Sequence, residues 1–85
     1  PYLILLDLNM PRMGGLELLD NIRSNSQLEM SVIFVLTTSK DDQDKISAYK
    51  HHVAGYIVKE NLNDGFELLV NMLDHYWHLV ELPKV

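Results

Sequence analysis

Tyr2-Leu3-Ile4-Leu5-Leu6-Asp7 is an unbroken apolar run closed by a carboxylate. It has the length of a strand. Without polar alternation it suits one covered on both faces, as in parallel sheets flanked by helices. The pattern returns at Val32-Ile33-Phe34-Val35-Leu36, followed by Thr37-Thr38, and at Gly55-Tyr56-Ile57-Val58, followed by Lys59. Between the runs the period changes. Pro11, Gly14 and Gly15 punctuate a loop. Leu18, Leu19 and Ile22 then share one face of a helix, with Glu17, Asp20 and Arg23 on the other. Ser24-Asn25-Ser26 stops it. Ser39 is the expected N-cap of a second helix, and Asp41, Asp42 and Asp44 suit the positive end of its dipole. That helix should turn Ile46, Tyr49 and Val53 inward. After Asn61 or Asn63 as cap, Phe66, Leu69, Val70, Leu73, Tyr76 or Trp77, and Val80 trace a third helical stripe. Strands alternating with helices predict an α/β unit of right-handed parallel crossovers.

Composition narrows the function classes. At 85 residues the chain is at most one small domain, and 47% hydrophobic with 22% charged residues is the balance of a globular protein. No cysteine is present, which excludes disulfides and thiolate metal sites. The apolar runs fall far short of the roughly 20 residues that span a bilayer. No membrane partner is expected. Seven Lys/Arg against twelve Asp/Glu give a net charge of −5, which argues against a nucleic-acid partner. No basic-then-apolar leader is visible. The opening directly on a buried-strand pattern carries the expectation of a sequence entered part-way through.

Ligands of open parallel sheets bind at the carboxyl ends of the strands. The residues there are Asp7, Thr37 with Thr38, and Lys59. A carboxylate can attack phosphorus to give an aspartyl phosphate. A threonine hydroxyl can donate to a phosphoryl oxygen, and a lysine supplies compact positive charge. Phosphoryl transfer also needs counter-charge, normally Mg²⁺ with several oxygen ligands. Asp7 and the backbone carbonyl of Asn9 could supply two, and a second acidic cluster is absent from the sequence.

These residues resemble the receiver domain of bacterial two-component response regulators. The resemblance runs through Leu5-Leu6-Asp7-Leu8-Asn9-Met10-Pro11, Gly15, Val35-Leu36-Thr37-Thr38 and Tyr56-Ile57-Val58-Lys59. The spacings also agree, 30 residues from Asp7 to Thr37 and 22 from Thr37 to Lys59. Within the family the chain looks most like the stand-alone, phytochrome-associated type. That narrower likeness rests on Leu36-Thr37-Thr38-Ser39, His52 before Val53, no proline after Lys59, and Tyr76-Trp77 near Leu82-Pro83.

The resemblance implies a flavodoxin-like, doubly wound parallel sheet of strand order 2-1-3-4-5. This chain would hold its third to fifth strands and helices, so residues 1–85 would be the C-terminal two-thirds of a single receiver domain. Asp7 would be the phosphoacceptor, and Mg²⁺ would take Asp7 and the backbone carbonyl of Asn9 as ligands. Thr37 would follow the phosphoryl group, Lys59 would pair with it, and the ring of Tyr56 would report the state. The partner would be a sensor histidine kinase. Signalling, and a homodimer, would use the face formed by residues 41–50, 55–58 and 64–80. The resemblance makes the chain a cytoplasmic phosphoacceptor rather than an enzyme, although it takes part in its own phosphoryl transfer and dephosphorylation. Unless the chain is also cut at its C-terminus, output is expected through protein contacts.

The sequence departs from the family in three places. The paired acidic residues have no counterpart, because the strand that carries them has none. Glu60 stands where a proline with a cis peptide is usual, and a non-proline cis bond costs roughly 2.5–4 kcal/mol. His52 stands where glycine is usual, at a helix end that favours a left-handed residue.

A phosphohydrolase with a strand-end aspartate needs a second aspartate two residues on, and position 9 is Asn. A receiver-like interaction module that is never phosphorylated remains the alternative. His75 with His78 and His51 with His52 lack the carboxylate spacing of a zinc site and read as surface or terminal residues. Asp41 to Asp44 read as a helix start, since no glycine and following glutamate complete a calcium loop.

Overall fold

The computed structural model describes residues 2–9, 14–62 and 65–84. Strands β1 (Leu3–Asp7), β2 (Val32–Thr37) and β3 (Gly55–Val58) alternate with helices α1 (Gly15–Ser24), α2 (Asp42–Lys50) and α3 (Glu67–Leu79). A 3₁₀ turn, Lys59–Leu62, follows β3. The strands form a parallel sheet in the order β1-β2-β3.

Alternation along β2 divides its side chains between two layers. Ile33 and Val35 join Leu6, Leu19, Ile22, Ala48 and Val53 in one buried cluster, which places α1 and α2 on that face. Phe34 points the other way and meets Tyr76 of α3 edge-to-face, with ring centroids 5.1 Å apart. The central strand behaves as its sequence predicts, since Ile33 through Thr37 are all buried. β1 does not. Its run predicts cover on both faces, yet only Leu6 is buried and Leu5 is 43% exposed. Among the described residues β1 pairs with β2 alone, so it forms the sheet edge.

Three helix expectations need correction. The cap of α2 is Asp41, whose Oδ1 accepts from Gln43 N at 2.8 Å, because the Ser39 hydroxyl is engaged elsewhere. The inward residue of α2 is Ala48, while Ile46 and Tyr49 are exposed. At about 100° per residue those two stand on a different side of the helix from Ala48. On α3, Leu69 is buried and Leu73 and Tyr76 are half-buried, but Val70 and Trp77, with the flanking Phe66 and Val80, face solvent. That helix begins after Phe66 without a side-chain cap, and Asn61 lies in the 3₁₀ turn. Asn63, the other expected cap, and Pro11 in the first loop lie outside the described residues.

Two backbone positions are constrained by their surroundings or conformation. A Cβ on Gly15 would stand 2.7 Å from Leu8 Cα, so only glycine lets α1 begin this close to the end of β1. His52 has φ of 60°, the left-handed conformation expected there at the end of α2. No cis peptide bond occurs among the described residues, and the backbone enters the 3₁₀ turn directly at Lys59-Glu60.

Candidate functional site

Register brings the chemistry together. Asp7 sits opposite Leu36, and Thr37 sits opposite Val58, the residue before Lys59. At one edge of the sheet each strand is therefore closed by a polar residue, Asp7 and Thr37 as the last of β1 and β2 and Lys59 just after β3. Lys59 Nζ donates to Asp7 Oδ2 at 2.9 Å, and Asn9 N donates to Asp7 Oδ1 at 2.8 Å. The Lys59 ammonium, then the Asn9 N–H, hold the Asp7 carboxyl below its ordinary value, against the opposing pull of desolvation. The Asp7 side chain is 43% exposed, so its carboxylate is ionised and reachable.

The neighbouring loop supplies hydroxyls and amides. Thr37 is 1% exposed, and its Oγ1 accepts from Ser39 N at 3.1 Å. That bond fills a lone pair and leaves the hydroxyl proton free to be donated. Thr37 reaches neither Asp7 nor Lys59 by a hydrogen bond among the described residues; it stands one strand over at the same edge. Asn9 uses its side chain as well as its N–H, since Oδ1 accepts from Thr38 N at 3.0 Å. Tyr56 donates its hydroxyl to the carbonyl of Ser39 at 3.0 Å. Lys40 forms an ion pair with Glu60, linking this loop to the turn after β3. Beside these groups lies a cleft of about 250 Å³, lined by Leu8, Asn9, Gly15, Thr37, Ser39 and Asp44.

Two residues matter more than their sequence positions announce. Ser39 reads as a helix cap, yet it joins Thr37, Tyr56 and α2. Arg23 reads as part of a solvated helix face, yet its guanidinium donates to the carbonyls of His51, His52, Glu29 and Ser31. The only advance signal for either was polarity, shared with many surface residues.

Among the described residues no three His, Cys, Asp or Glu side chains cluster as a metal site. Asp7 and the Asn9 carbonyl are two oxygen donors, and Mg²⁺ takes about six. These residues alone do not complete a metal centre.

The sequence matches the response regulator receiver domain over residues 1–74. The chain belongs to that family. It is 40% identical over 84 residues to response regulator Rcp1 of Synechocystis sp., covering 98% of this chain and 57% of that protein. The crystal structure of the phosphorylated cyanobacterial phytochrome response regulator RcpA superposes with a TM-score of 0.83 and 38% identity, covering 99% of this chain and 61% of that one. The Mn²⁺-bound form of Rcp1 superposes with a TM-score of 0.74 and 37% identity, over 96% of this chain and 60% of that one. The chain thus spans under two-thirds of the length of these relatives. It is a receiver-type α/β unit, with the flavodoxin-like arrangement of helices on both faces of a parallel sheet. Receivers are signalling modules of two-component systems rather than enzymes. Among the described residues no helix is long and apolar enough to cross a membrane.

Proposed function

We propose that Asp7 is the phosphoacceptor of a two-component receiver, and that its donor is a sensor histidine kinase of the phytochrome-associated kind. One observation carries this reading: the exposed Asp7 carboxylate, held ionised by Lys59 at 2.9 Å, at the carboxyl edge of a parallel sheet. In the transfer an Asp7 carboxylate oxygen attacks phosphorus. The bond from phosphorus to the donor's histidine nitrogen breaks, and the imidazole leaves. Lys59 then pairs with the transferred group, and the Thr37 hydroxyl donates to one of its oxygens. Tyr56, already bonded to the loop that follows Thr37, is the ring that reports the change.

In this reading Asp7 and the backbone carbonyl of Asn9 would be two of the oxygen donors to a Mg²⁺ ion, which would supply counter-charge to the phosphoryl group. The sheet order β1-β2-β3 fits the third to fifth strands of the family's order 2-1-3-4-5. On that correspondence residues 1–85 are the later two-thirds of one receiver domain. Its signalling and dimerisation face is then built from α2, β3 and α3.

The test is labelling of the full natural polypeptide by kinase or acetyl phosphate. Asp7→Asn is nearly isosteric but not a competent nucleophile. Acid-labile, hydroxylamine-sensitive phosphate is expected on the unsubstituted protein and not on the variant. Undiminished label on Asp7→Asn overturns the assignment.

A further inference from the structure

Ser39 engages every polar group it has. Its N–H donates to Thr37 Oγ1 at 3.1 Å, and its carbonyl accepts from the Tyr56 hydroxyl at 3.0 Å. Its own hydroxyl accepts from Asp41 N at 3.1 Å and donates to Asp44 Oδ2 at 2.6 Å. The last bond is of the short, charge-assisted kind, roughly twice as strong as a neutral one. Asp44 lies in the first turn of α2, so this side chain fastens the helix to the loop that follows Thr37.

We propose that Ser39 and Asp44 are a positioning pair, coupling the Thr37 hydroxyl to helix α2; this rests on the phosphoacceptor reading of Asp7. The two arms of Ser39 lead to different places. Its backbone carbonyl leads to Tyr56 on β3, and its side chain leads to Asp44 on α2. When Thr37 turns its hydroxyl toward a phosphoryl oxygen, Oγ1 moves and the Ser39 N–H bonded to it follows. The Ser39 hydroxyl then draws Asp44, and with it the helix that exposes Ile46 and Tyr49. Removing the hydroxyl cuts the α2 arm and leaves the Tyr56 arm intact. A merely structural serine would not separate the two.

The experiment records backbone amide NMR shifts of the full natural polypeptide on adding Mg²⁺ with beryllofluoride, a phosphoryl mimic. In the unsubstituted protein, shifts are expected around Asp7 and Thr37, through α2, and at Tyr56. In Ser39→Ala the shifts around Asp7 and at Tyr56 should persist while those through α2 are lost. Persistent shifts around Asp7 also report that the variant is folded and binds the probe. Asp44→Ala should lose the same α2 shifts, and the double variant should lose no more than either single one. Ser39→Thr keeps the hydroxyl and should restore them. Shifts through α2 that survive undiminished in Ser39→Ala and Asp44→Ala overturn the coupling while leaving the phosphoacceptor reading in place. No shift anywhere in the unsubstituted protein overturns both.

Discussion

At the scale of single residues, Arg23 and Asp7 show opposite uses of charge. Arg23 spends its guanidinium on backbone: Nε reaches the His51 carbonyl at 2.7 Å, Nη2 that of His52 at 2.8 Å, and Nη1 those of Glu29 and Ser31 at 2.8 Å each. It pins the end of α1 to the end of α2 and to the approach to β2. Burial lowers its pKa, but a guanidinium stays protonated. Arg23→Ala should cost about 2–3 kcal/mol, the scale of hydrogen bonds to a charged group. Arg23→Lys should recover little, since an ammonium cannot reproduce the fork. Urea unfolding midpoints of the full natural polypeptide and its two variants check both statements. Asp7 instead holds its charge near solvent. Its folded pKa is depressed, so its contribution to stability is complete above the ordinary carboxylate value of about 3.9 and is lost as pH falls through the lower folded value. With both side chains of the pair about a third or more exposed, that contribution stays within about 1 kcal/mol. Asp7→Asn should therefore flatten the fall of urea midpoints below about pH 4.

At the scale of elements, the two ends of α2 are built by different means. Its start is held by side chains, with Asp41 as cap and Ser39 bonded to Asp44. Its end is held by backbone. His51 N and His52 N reach back to the carbonyls of Ala48 and Tyr49, and His52 turns left-handed with φ of 60°. A β-carbon in that conformation costs about 1–2 kcal/mol, part of which glycine returns through its greater freedom in the unfolded chain. His52→Gly should raise stability by about 0.5–1 kcal/mol, read as a higher unfolding midpoint. The Arg23 contact should survive, because it uses the His52 carbonyl rather than the imidazole. This strain was legible in advance, since a left-handed residue is common just past a helix. The misplaced cap was not, because Ser39, Asp41 and Asp42 all have capping side chains and only the path of the loop selects among them.

At the scale of the molecule, one side of the sheet is closed and the other is open. α1 and α2 cover the face carrying Leu6, Ile33 and Val35. On the opposite face α3 meets Phe34 through Tyr76, while Leu5 on β1 remains 43% exposed. Phe66, Leu68, Val70, Trp77 and Leu79 on or beside α3 are each more than half exposed. An uncovered apolar edge strand invites pairing with another chain. Each Leu- or Phe-sized side chain left in water forgoes about 1.5–3 kcal/mol of burial. Residues 1–85 prepared alone should therefore associate or unfold with low cooperativity. Light scattering and circular dichroism measure this, and a monodisperse monomer with a sharp transition would refute it.

The sequence by itself determined the order of elements, the parallel sheet and the polar residue that ends each strand. Those properties depend on period and on neighbours along the chain: apolar runs of strand length, helical spacing between them, and punctuation by Gly, Pro and Ser. The distance from Asp7 to Lys59 is another matter, because 52 residues separate them and only the register of β1, β2 and β3 brings them to 2.9 Å. Tertiary structure also decided which apolar residues are buried. Ala48 displaced Ile46 and Tyr49 from the interior because it is the residue α2 turns toward the core. The same holds for Ser39 and Arg23, whose partners lie in other elements. A hydroxyl or guanidinium declares its capacity to bond in the sequence, but the identity of its partners is a property of the packed chain.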